Sequence, residues 1–102
     1  MIHNDEAKLV TLTATESQVI RTETSVFCGK KSVGYREFYA AVEVGLNPSY
    51  IFEMDTDEYE QAVITTNGVR QIPTELIYGG AKFNIIRTYE KPDGTIEVTV
   101  SL

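Results

Sequence analysis

The sequence predicts a mainly β fold: a small antiparallel six- to seven-stranded β-barrel or sandwich with one α-helix inserted between strands 2 and 3. Three observations carry this. Asn67-Gly68 and Gly79-Gly80 each lie between runs rich in β-branched and aromatic residues, the pattern of two-residue hairpins. Tyr50-Ile-Phe-Glu-Met-Asp55 and Thr95 to Leu102 alternate apolar with polar residues, as half-buried strands do. Only one stretch, residues 33 to 44, has a helical period.

In chain order, Lys8 to Thr13 reads as the first strand and Val19 to Lys30 as the second. The polar Ala14-Thr-Glu-Ser-Gln18 connects them. The helix follows. Tyr35, Phe38, Tyr39 and Val42 recur at i, i+3, i+4 and i+7, Ser32 can cap the start, and Gly45 and Pro48 supply the stop. In the next strand Tyr50, Phe52 and Met54 share one face, and Glu53 and Asp55 the other. Ala62 to Thr66 pairs with Val69 to Ile72 across Asn67-Gly68, and Leu76 to Tyr78 with Ala81 to Tyr89 across Gly79-Gly80. Pro92-Asp-Gly94 turns the chain into the last strand, with Ile96, Val98, Val100 and Leu102 facing one way.

The 102 residues suit one domain, 1–102, with residues 1–7 expected to be flexible. A single cysteine, Cys28, rules out an internal disulfide and a cysteine zinc site. The polar, acidic start is unlike a signal peptide, and no apolar run approaches membrane-spanning length. These features predict a protein of a reducing cytoplasm. The net charge of −6, from 15 acidic against 9 basic residues, argues against binding DNA by neutralising phosphates.

No set of residues carries catalysis. Cys28 lacks a histidine base, since the sole histidine is His3 near the start, and the buried strand cysteine is the better reading. Glycine-rich phosphate loops, Ser-His-Asp sets and paired-histidine metal motifs are absent, so no cofactor and no metal are expected. The densest charge is Glu53, Asp55, Asp57, Glu58 and Glu60, with no base among them. A calcium loop starting at Asp55 needs glycine at its sixth position and glutamate at its twelfth, where this chain has Glu60 and Thr66. A solvated acidic loop is the simpler account. On the helix, Tyr35 and Tyr39 have hydroxyls that seek polar partners, while Arg36 and Glu43 lie toward the opposite face; these four are candidate interface residues. Arg87, inside a strand, also asks for a partner such as a carboxylate.

Four segments carry a resemblance. Val26-Phe-Cys28, Ser32-Val-Gly-Tyr-Arg-Glu-Phe-Tyr39, Gly45-Leu-Asn-Pro48 and Phe83-Asn-Ile-Ile-Arg-Thr-Tyr89 resemble, in order and spacing, the head-tail joining, or head closure, proteins of long-tailed bacteriophages. The resemblance implies a structural protein of the virion's head-tail interface without catalysis, built by a phage or prophage in the host cytoplasm. Its partners would be the portal and adaptor on one side and a tail terminator or tail protein on the other. It would self-associate into a ring, a dodecamer in that family, without sequence-specific nucleic acid or membrane. In some members the connection between strands 2 and 3 reaches into the channel, here Gly29 to Ser49. The acidic residues Asp55, Asp57, Glu58 and Glu60 are then candidates for a channel-facing loop. Val69 to Ala81 departs from the family's usual pattern. The alternatives from other classes are an OB-like nucleic-acid-binding module, which needs a lysine- or arginine-rich groove, and a small inhibitor acting through the acidic loop.

Overall fold

Two tight turns set the register of the sheet. Asn67 and Gly68 have φ of 52° and 77°, and Gly79 and Gly80 of 59° and 80°. Positive φ at both central positions is the type I′ geometry, whose twist matches that of the strands it joins. The computed structural model describes residues 4–31 and 50–101. Within them lie β1 (Asp5–Ala14), β2 (Val19–Lys31), β3 (Tyr50–Asp55), α1 (Thr56–Glu60), β4 (Ile64–Thr66), β5 (Val69–Gln71), β6 (Glu75–Tyr78), β7 (Ala81–Glu90) and β8 (Thr95–Ser101). The helix expected over 33–44 lies outside the described residues.

Six strands close into an antiparallel barrel in the order β1-β2-β3-β8-β7-β6, with β6 pairing back onto β1. Closure leaves no full-length open edge. The core follows from strand alternation. Ala7 of β1 lies opposite Val26 of β2 and shares the core with Leu9 and Cys28, while Phe52 and Met54 of β3 lie opposite Val98 and Ile96 of β8. Leu76 of β6 packs between Leu9 and Phe83.

Several expectations are corrected. Asp5, Glu6 and Ala7, expected to belong to a flexible start, pair with Cys28, Phe27 and Val26, and Ala7 is buried; residues 1–3 lie outside the described residues. The connection after β2 begins beyond Lys31, since Gly29, Lys30 and Lys31 pair with β3. The hairpin of β4 and β5 forms its own two-stranded sheet against β1, and the segment Val69 to Ala81 also supplies β6, the strand that closes the barrel.

The largest departure from simple alternation is in β7. Strict alternation from Phe83 and Ile85 would turn Arg87 and Tyr89 inward. The register instead slips between Ile85, opposite Val100, and Arg87, opposite Thr99, so that Ile86 is an extra residue. A bulge of this kind re-aims the side chains that follow it. Arg87 and Tyr89 therefore face outward, beside Thr99 and Glu97, and both are exposed.

The barrel is also uneven. β1 and β2 pair along their whole length from Asp5 with Cys28 to Ala14 with Val19, yet β2 meets β3 only at Gly29–Lys31. The outer half of this hairpin overhangs the barrel as a two-stranded ribbon.

Candidate assembly surfaces

The acidic stretch after β3 is a short helix and not a loop. Asp57 and Glu58 occupy its first turn, where negative charge complements the helix dipole, and buried Tyr59 anchors it to the core. Thr56 further ties it to the β7–β8 turn, its N–H and hydroxyl both donating to the Gly94 carbonyl at 2.9 Å. Bases distant in sequence supply counter-charge. Arg70 of β5 donates to both oxygens of Glu60, at 2.7 and 2.8 Å. Glu58 accepts from the Phe27 N–H at 3.3 Å, and Lys91 lies 2.5 Å from Glu53. The five acids thus do not form one uncompensated patch.

Glu53 and Glu97 lie directly opposite one another on β3 and β8. Two like charges side by side destabilise a sheet. Two lysines offset this: Lys31 pairs with Glu97, and Lys91 reaches both Glu53 and, at 3.7 Å, Glu97. Glu53 is buried on what the alternation marks as the polar face.

Other cations among the described residues also have partners. Arg21 binds Glu75 at 2.6 Å and Glu23 at 3.5 Å, Lys8 lies 3.7 Å from Glu23, and Lys82 lies 2.8 Å from Glu75. Lys30 sits over the rings of Tyr50 and Tyr78, 4.5 and 5.3 Å from their centroids. Sequence reasoning missed these partners, since every pair except Arg21–Glu23 joins residues on different strands. The only signal was the placing of Glu53 and Glu97 on outward faces.

These pairs carry a pH dependence. The hydrogen bond from Lys82, with that from Arg21, holds the Glu75 carboxyl below its ordinary value, and the fork of Arg70 does the same for Glu60. A carboxylate whose folded-state pKa is depressed contributes stability above its unfolded pKa, lost as pH falls through the folded one. The melting temperature is therefore expected to drop as pH falls below the ordinary glutamate value of 4.5. Arg70→Gln should make that acid limb shallower in a calorimetric pH series; an unchanged slope would show the pair to be energetically idle.

One end of the barrel is aromatic. Tyr50 meets Phe83 edge-on at 5.7 Å, and Phe52 lies 5.1 Å from Tyr78. Lys31 and Tyr50, which bound segment 32–49, are at this end. Close by, Glu6, Lys8, Ile77 and the Gly79-Gly80 turn line an open groove of about 300 Å³.

Of the sequence-predicted interface residues, Tyr35, Arg36, Tyr39 and Glu43 lie outside the described residues, and Arg87 stands on the outer face of β7. Among the described residues no cluster of histidine, cysteine and carboxylates has metal-binding geometry, and no helix is long and apolar enough to cross a membrane. Cys28 is fully buried, and burial, with the nearby Asp5 charge, pushes its thiol up to about 11. That is the opposite of an activated nucleophile. No protein-family model, curated protein or solved structure matches the chain.

Proposed function

We propose that the chain is a structural virion protein of the head-closure kind, forming a ring beneath the portal and its adaptor, closing the DNA-filled head and docking the tail. One observation supports this most. The closed antiparallel barrel is interrupted between its second and third strands by residues 32–49, the segment that holds most of the resembling words. In this reading Tyr35, Arg36, Tyr39 and Glu43 contact neighbouring subunits or the adaptor, and Asp57 and Glu58 face the channel.

The pairing of the cations is compatible with a channel that DNA must pass. Phosphates bind where lysines and arginines are clustered and available, and here six basic side chains are engaged by carboxylates. No micromolar affinity for DNA is expected in a fluorescence anisotropy titration at ~0.15 M salt. Micromolar binding would favour the OB-like module instead.

The deciding experiment is electron microscopy of the protein mixed with the portal and adaptor complex encoded beside it. A ring of added density at the adaptor's outer end supports the proposal, and its absence at saturating protein removes it. If Arg36 and Glu43 are contact residues and not core residues, as this reading has them, Arg36→Glu and Glu43→Lys should melt close to the parent temperature, because surface charges contribute little to stability, yet fail to give tailed particles in a phage lacking the gene.

A further inference from the structure

The overhanging part of β2, from Val19 to Ser25, pairs with β1 on one side only; on its other side no strand among the described residues pairs with it. The direction of its backbone groups is fixed. The Phe27 N–H points away from β1, toward Glu58, so Phe27 and every second residue before it aim N–H and C=O at the free edge. These residues are Ser25, Glu23, Arg21 and Val19. Val19 and Ile20 are 64% and 43% exposed, and the Arg21 and Glu23 side chains 41% and 40%. An edge of this length is a template for another strand.

Its sequence is self-complementary in one register. If a second copy of β2 runs antiparallel about a twofold axis, the residues on the axis decide which charges meet. Centring on Arg21 or on Glu23 places like charges directly opposite. Centring on Thr22 places Arg21 opposite Glu23 and Glu23 opposite Arg21, with Val19 opposite Ser25. That register also opposes the residues whose N–H and C=O face the edge, so each of those pairs can exchange two hydrogen bonds. We infer that the free edge of β2 is a homodimer interface, in which two copies pair antiparallel with Thr22 on the twofold axis. The arrangement is isologous, with each residue's contact repeated by symmetry. It concerns the free protein and does not depend on the virion role proposed above.

Sedimentation velocity of the full chain over a concentration series reads it directly. A monomer–dimer equilibrium is expected, weakened about tenfold or more by Arg21→Glu or Glu23→Arg, each of which opposes like charges. The double swap Arg21→Glu with Glu23→Arg restores opposite charges and should restore the dimer. Ser25→Pro removes an edge donor without touching the β1 ladder and should also give monomer, with circular dichroism confirming the fold of every variant. Thr22→Cys supplies an independent readout. A non-hydrogen-bonded antiparallel pair has its Cα atoms ~4.5 Å apart, within disulfide reach, so diamide should link Thr22→Cys into a covalent dimer faster than Thr24→Cys. A parent that stays monomeric at ~200 µM, or a dimer that the single reversals leave intact, overturns the inference. So does equal cross-linking at 22 and 24.

Discussion

Phe52→Ala is expected to unfold the barrel or bring it to the edge of unfolding. The Phe52 side chain is fully buried, lies opposite Val98, and touches the rings of Tyr78, Phe83 and Tyr50 at centroid distances of 5.1, 6.3 and 6.4 Å. Truncating a buried aromatic costs about 3–5 kcal/mol, from lost transfer energy and the cavity left behind. A domain of this size has a total stability of roughly 5–15 kcal/mol. Phe27→Ala is the matched control: the same substitution one strand away, at a side chain 54% exposed, where the change should stay near about 0.5 kcal/mol. Urea unfolding followed by circular dichroism gives both values. Similar shifts for the two variants would mean that Phe52 is not the centre of the core.

The second large effect is chemical. Cys28 should resist alkylation in the native protein and react freely once it unfolds. With its thiol pushed up to about 11 from an ordinary 9.0, the thiolate is depleted about a hundredfold at neutral to mildly alkaline pH. Burial adds a second barrier, since the reagent must wait for the barrel to open. Quantitative maleimide labelling within minutes at about pH 8 without denaturant would contradict this. The same shift predicts an alkaline limb of stability. A group whose folded pKa is raised contributes stability below its unfolded value and loses it as pH climbs through the folded one, here between 9.0 and about 11. Burial raises the Tyr59 phenol as well, so Cys28→Ala should make the limb shallower without removing it.

Sequence and tertiary structure divide the explanation of this protein along a physical line. Interactions short in sequence were legible. The two type I′ turns follow from Asn67-Gly68 and Gly79-Gly80, and β3 and β8 follow from period-two alternation that puts Phe52, Met54, Ile96, Val98 and Val100 in the core. The burial of Cys28 was likewise readable, from its place in an apolar strand with no base near it. The bulge at Ile86 was not: Phe83 to Tyr89 carries no glycine or proline to mark it, and only pairing with β8 turns Arg87 and Tyr89 outward. The acidic run 53–60 looked uncompensated because its cations, Arg70 and Lys91, come from β5 and the β7–β8 turn. Its helix was missed because five residues are too few to show a period, and the burial of Tyr59 anchors it. Local geometry, written in turn dipeptides and alternation, was therefore determined by the sequence itself. Barrel closure through β6, the ion-pair partners and the edge of β2 that no described strand covers were decided by the tertiary structure, because each depends on which distant strands meet and in what register.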